Sequence, residues 1–193
     1  LLKNLTDKSN DYSKKIFNID PSKTTITIGY SASTGSQHLR IIKTLSKSKE
    51  LSDMYKNICF IMPLTYPKNK AYIDKIESAM NDAHFNYRLF TNFLTDEEVA
   101  HLRKATDIFI ILTVTDQLSG SLLEHLYTKG IVLAGEWLPY SVLEEEGVYF
   151  KKISESFENL NKVLLDTIHN LENEKKKCLM NSVIIAQMNN KET

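Results

Sequence analysis

The residues with chemical potential in this chain cluster in short polar segments that follow apolar runs. The densest is Thr113-Val114-Thr115-Asp116-Gln117-Leu118-Ser119-Gly120-Ser121-Leu122-Leu123-Glu124. If Ser119-Gly120-Ser121 opens a helix, its backbone amides and the positive end of the helix dipole can hold a phosphate or diphosphate without a metal. Asp116 before that helix and Glu124 about a turn and a half inside it are carboxylates able to accept from sugar or ribose hydroxyls. The structural alternative is a Ser-capped helix with a solvated Glu. A second segment, Gly29-Tyr30-Ser31-Ala32-Ser33-Thr34-Gly35-Ser36-Gln37-His38, is small and hydroxyl-rich. Gly29 and Gly35 let backbone approach a ligand closely, and Ser31, Ser33 and Ser36 offer hydroxyls to an anion. Without a ligand it reads as a turn with Ser36 as the N-cap of the next helix. Pro63-Leu64-Thr65-Tyr66-Pro67 is a rigid loop carrying an aromatic ring. Thr91-Asn92-Phe93-Leu94 offers Asn92 and Phe93 to a flat base, although Phe93 reads equally as a packing residue.

Other chemistries lack their residues. The five histidines show no H-E-x-x-H or other metal-ligand spacing, so no metal site is expected. There is no G-x-S-x-G elbow, no G-x-G-x-x-G fingerprint, no Walker loop and no Asp-x-Asp pair. Cys59 and Cys178 are expected as reduced thiols, Cys59 within a strand. Glu144–Glu146 and Lys175–Lys177 are expected as solvated helix faces. Lys+Arg and Asp+Glu both total 24 in 193 residues, and this zero net charge argues against a nucleic-acid partner. No apolar run approaches the ~20 residues of a membrane-spanning helix, and no signal-peptide pattern is seen. The first residue is Leu1 rather than Met, which leads us to expect a piece of a longer protein.

The elements that position these segments alternate along the chain. Strands are predicted at 24–30, 58–62, 85–90, 108–112 and 131–134, with a weak sixth at 148–150. Helical periodicity marks 36–47, 69–80, a segment opened by the capping box Thr95-x-x-Glu98, 119–129 closed by Gly130, and a long final helix over 157–171. Continuous apolar strands joined by amphipathic helices require crossovers. The predicted fold is therefore α/β: a Rossmann-like, doubly wound parallel sheet of about six strands with helices on both faces. Residues 1–23 read as a linker or the end of a preceding domain, 24–173 as the ligand-binding domain and 174–193 as a tail or helix. Ligands of such sheets sit at the carboxyl ends of the strands, where the polar segments lie.

Two resemblances rest on these residues. Ala105-Thr106-Asp107-Ile108-Phe109-Ile110, then Ser119-Gly120-Ser121-Leu122-Leu123-Glu124, then Gly130-Ile131-Val132-Leu133, resembles the C-terminal donor-binding half of GT-B glycosyltransferases, group 1. Asp116 and Glu124 match that family's E-x7-E spacing, with Asp in the first place. More narrowly, Gly29-Tyr30-Ser31 with Ser36-Gln37-His38-Leu39, and Ile61 to Pro67 with Asn69 to Ile73, is similar to bacterial 4-acetamido-4,6-dideoxygalactosyltransferases. The resemblance implies a nucleoside-diphosphate sugar as donor substrate, with no cofactor and no metal. The diphosphate would lie on Ser119, Gly120, Ser121 and the 31–36 loop, facing Gly29 and Tyr66. Glu124 and Asp116 would take ribose or sugar hydroxyls, and the base would lie by Asn92 and Phe93. It further implies a glycan or lipid-linked acceptor bound by an N-terminal domain, polysaccharide biosynthesis, and a cytoplasmic setting at the inner face of the cell membrane. The isolated chain would bind donor without transferring it. A stand-alone Rossmann-like nucleotide-binding or protein-interaction module is the alternative. A nucleotide-sugar epimerase is a further rival, which the absent dinucleotide fingerprint disfavours.

Overall fold

A strand apolar on both faces needs cover on both faces, and the chain supplies it. The computed structural model describes residues 8–54 and 56–191. Its strands are β1 (Thr24–Ile28), β2 (Ile58–Pro63), β3 (Tyr87–Phe90), β4 (Ile108–Ile111), β5 (Ile131–Gly135) and β6 (Lys151–Ile153). They form one parallel sheet in the order β3-β2-β1-β4-β5-β6. Every residue of β2, β4 and β5 is buried, while β3 and β6 at the edges are partly exposed. The order reverses between β1 and β4, so the crevice for a ligand opens beyond the carboxyl ends of those two strands. The α/β expectation holds.

The helices are α1 (Asn10–Ile16), α2 (His38–Leu45), α3 (Lys49–Asp53), α4 (Lys70–Asp82), α5 (Asp96–Ala105), α6 (Gly120–Tyr127), α7 (Ser141–Glu145), α8 (Leu160–His169), α9 (Leu171–Lys177) and α10 (Asn181–Lys191). The Thr95/Glu98 capping box forms as predicted, and Ser119 caps α6 by accepting from the Leu122 amide. The helix expected over 157–171 is α8, which starts only at Leu160 and ends at His169; it is not the last, since α9 and α10 follow.

The first loop departs from expectation. Ser36 is not the cap of α2. Ser33 caps a single 3-10 turn over Thr34–Ser36, and α2 starts at His38 after Gln37 in the left-handed region, φ 55°. The cause is the turn out of β1. Gly29 has φ +63°, and a Cβ there would lie 2.8 Å from Nε2 of the buried His38. Gln37 is held by donating from Nε2 to the Leu112 carbonyl at 2.7 Å. Gly29→Ala is therefore expected to destabilise the fold by about 1–3 kcal/mol in urea unfolding, since it meets both an unfavourable φ and a clash. A loss below ~0.5 kcal/mol would contradict this packing.

Both ends of the described chain belong to the same body. Residues 1–7 and 192–193 of the expected linker and tail lie outside the described residues. Within 8–23, α1 packs beside α5, and Lys14 Nζ meets Asp107 Oδ2 at 2.7 Å with both side chains buried. Lys175 on α9 reaches Asp107 Oδ1 at 2.8 Å, so this lysine is an ion-pair partner rather than part of a solvated face. α10 lies against α6 and buries Ile185 in the second apolar cluster.

Candidate functional site

A cleft of about 310 Å³ opens at the carboxyl edge of the sheet, between the loops after β1, β2 and β3 and the N-terminus of α6. Its floor is built from α6. Leu118, at φ 52°, turns the chain so that Ser119, Gly120 and Ser121 present the first helical turn to the cleft. Tyr66 and Phe93 stand at its rim, and Phe93 is 86% exposed. Glu124 lines the wall one turn further along α6. Of the predicted binding residues, the fold thus gathers Tyr66, Phe93, Ser119, Gly120, Ser121 and Glu124 in one place.

Asp116 is placed differently. It is buried and does not line the cleft. Its Oδ1 accepts from the Tyr30 hydroxyl at 2.9 Å. Its Oδ2 accepts from the Tyr140 hydroxyl at 2.6 Å and the Ser119 amide at 3.0 Å. This carboxylate fixes the entry of α6 by tying it to the loop after β1 and to the segment after β5. Burial, then the hydrogen bond to Asp116, pushes the Tyr30 phenol up to about 12, and the same causes raise Tyr140. Both phenols therefore remain donors at neutral pH. Asp116→Ala should leave both without their acceptor and cost about 2 kcal/mol of stability, while Asp116→Asn should cost less. Equal urea midpoints for the two variants would contradict the bracing role.

The glycine-and-serine loop forms the wall behind the cleft. Ser31 and Ser36 are buried with their hydroxyls 3.3 Å apart, and Ser33 caps its own turn. The Gly35 carbonyl accepts from the Val114 amide at 2.8 Å, joining this loop to the segment after β4. Tyr30 of this loop lines the cleft, and Gly29, Ser31, Ser33, Gly35 and Ser36 are not among its lining residues. Asn92 is exposed beside Phe93 and is likewise not part of its lining.

Sequence reasoning missed Arg103. It stands near the end of α5, where a basic residue is ordinary and carries no distinguishing signal. In the fold it is buried in the cleft wall, and its Nε donates to Glu124 Oε2 at 2.9 Å. Behind it lies His125, fully buried and stacked on Phe109 with ring centroids 3.9 Å apart. His125 Nδ1 is 2.7 Å from the Ser121 carbonyl oxygen, so it donates there and Nε2 carries the lone pair. Burial, then the Arg103 charge, holds this imidazole well below its ordinary range. Among the described residues there is no group of three or more His, Cys, Asp or Glu placed to hold a metal ion. No described helix is long and apolar enough to cross a membrane.

No family model matches the chain, and no curated protein matches it. Solved structures do. The C-terminal domain of a glycosyl transferase group 1 family protein, LpcC, from Francisella tularensis is similar with a TM-score of 0.75 at 14% identity, over 93% of this chain and 92% of that one. Anabaena HepE, crystallised with UDP and glucose, gives 0.74 at 15% identity, over 96% of this chain and 50% of that one. WaaG, a glycosyltransferase involved in lipopolysaccharide biosynthesis, gives 0.68 at 17% identity, over 94% and 47%. This chain thus spans about half the length of the longer glycosyltransferases. Sheet order, helix placement and these likenesses together establish an α/β Rossmann-like fold of the kind found in GT-B glycosyltransferase C-terminal domains.

Proposed function

We propose that the cleft binds a nucleoside-diphosphate sugar and that this chain is the donor-binding part of a glycosyltransferase. One observation carries the reading: the open first turn of α6 and the Arg103–Glu124 pair face the same cleft at the sheet's carboxyl edge. It is supported by the HepE structures, solved with UDP and with UDP-glucose on a similar fold. The diphosphate rests on the amides of Gly120 and Ser121, beside a Ser119 whose own amide is held by Asp116. Glu124, with Oε2 held by Arg103, offers Oε1 to a ribose or sugar hydroxyl. Tyr66 and Phe93 flank the base. Asp116 and the 31–36 loop hold this floor in place without touching donor, which replaces the sugar contact implied for Asp116 by spacing. Charge developing on the leaving diphosphate is stabilised by preorganised amides rather than by a metal. A glycan or lipid-linked acceptor is bound by a further domain, and the isolated chain binds donor without transfer. The enzyme works in the cytoplasm, peripheral to the inner face of the membrane.

The test is thermal unfolding with UDP, TDP, GDP and ADP, metal-free. Ligand at ~100 times its dissociation constant stabilises by about 2.7 kcal/mol. One nucleoside diphosphate is expected to raise Tm selectively, and Gly120→Val, which fills the cleft floor, should abolish that rise. The exposed rings of Tyr66 and Phe93 at the rim favour a second reading, a protein-interaction module. That reading predicts no nucleotide-induced rise in either protein.

A further inference from the structure

We propose that Arg103 is the phosphate-binding side chain of the cleft, taking an oxygen of the donor's diphosphate through Nη1 while Nε keeps Glu124. The inference rests on the nucleotide-sugar reading above and adds to it a residue that neither composition nor spacing pointed to.

Arg103 Nη1 is buried without a hydrogen-bond partner. Ser121 Oγ, on the first turn of α6, is also buried and unpartnered, and both residues line the cleft. An unsatisfied buried donor is costly and rare in a finished structure. Arg–carboxylate pairs are frequently bidentate, whereas here Nε alone meets Glu124 and Nη1 is left for another acceptor. The contrast with Lys14 is instructive. That equally buried cation is satisfied by Asp107 and the carbonyls of Pro21 and Lys23. His125 Nε2 lacks a partner too, but it is sealed behind Phe109 and does not line the cleft.

The charge arithmetic points the same way. Arg103 is the one Lys or Arg among the described residues that line the cleft, which also carries the carboxylates of Glu124 and Asp96. Helix-end amides alone supply about half a positive charge. A diphosphate brought beside Glu124 needs a fixed cation between them. Arg103 holds that position, and its planar fork suits a phosphate oxygen on one edge and a carboxylate on the other.

The experiment titrates inorganic pyrophosphate, the four nucleoside diphosphates above and their parent nucleosides into wild type, Arg103→Gln, Arg103→Lys and the double variant Arg103→Gln/Glu124→Gln. The double variant leaves no unpaired carboxylate in the wall and covers failure of the single variant to fold. Pyrophosphate and the best nucleoside diphosphate are expected to lose about tenfold or more in affinity in the Gln variants. Arg103→Lys should recover part of the loss, and the parent nucleoside should bind wild type and the single Arg103 variants equally; in the double variant, where Glu124 is changed too, pyrophosphate, which has no ribose, carries the comparison. Wild-type diphosphate affinity in the folded Gln variants would overturn the assignment and leave the nucleotide reading standing. Equal losses for nucleoside and diphosphate in the single Arg103 variants would also overturn it, by showing a merely structural role. If wild type binds neither pyrophosphate nor any nucleotide, the nucleotide reading itself fails, and the assignment with it.

Discussion

Lowering the pH from 6.5 to 4 is expected to remove about 3 kcal/mol of folding stability through His38 alone. This side chain is fully buried against the turn at Gly29, with Nδ1 3.5 Å from the Tyr72 hydroxyl. Burial pushes its imidazole down to about 4. In the unfolded chain it titrates near 6.5. Below that pH the unfolded state binds the proton and the folded state does not, so stability is complete above about 6.5 and falls with the pH at about 1.4 kcal/mol per unit. His125 is also held far below its ordinary range, so it contributes a second slope of the same sign. The slope above about pH 5 belongs to the imidazoles, because the depressed carboxyls of Glu98 and Glu174, with an ordinary value of 4.5, and of Asp20 and Asp107, with one of 3.8, add losses of the same sign only below it. Urea midpoints between pH 7 and 5 measure the slope. A flat profile would contradict the burial of both imidazoles, and His38→Gln should flatten the wild-type profile by about half.

Asp107→Ala should cost about 3–5 kcal/mol, the range for breaking a buried ion pair from one side. The Asp107 carboxylate is 1% exposed and accepts from Lys14 and Lys175 at 2.7 and 2.8 Å, and from the Thr25 amide at 2.9 Å. Burial opposes its charge, yet Lys175 and Lys14 hold the carboxyl below its usual range. Removing it strands Lys14, itself 4% exposed, in the interior. It also releases α1 and α9 from the amino-terminal side of β4, far from the cleft. Equilibrium unfolding should show the loss, while nucleotide affinity of the folded variant stays that of wild type. A cost below ~1 kcal/mol would contradict the keystone role, and Lys14→Met/Asp107→Leu should recover much of the stability.

The two predictions share a cause that sequence patterns do not carry. The central strands were legible because Ile108–Ile111 and Ile58–Pro63 are apolar without interruption, which only a covered parallel sheet accommodates. The sixth strand was misplaced by three residues. Val148, Tyr149 and Phe150 are the more apolar, but they pack beside the sheet, and the half-exposed Lys151–Ile153 pairs with β5. α1 escaped because its polar residues are held by an ion pair spanning 93 positions. At the site, Ser119–Ser121 and Glu124 follow from a helix start after an apolar strand. The fate of Asp116 does not, since its partners Tyr30 and Tyr140 lie 86 and 24 residues away. Arg103 was invisible for the same reason: its partner on α6 is 21 residues on, and nothing local marks the pairing.

The most direct test of the cleft as a nucleoside-diphosphate site is an amide correlation spectrum of the labelled chain titrated with UDP, TDP, GDP and ADP. The account predicts saturable shifts at the Gly120 and Ser121 amides and at the Arg103 Nε–H with one of these nucleotides, while α1 and α9 stay unmoved. The absence of saturable shifts at the start of α6 with every nucleotide, or saturable shifts confined to another surface such as that around Lys68 and Lys70, would contradict it.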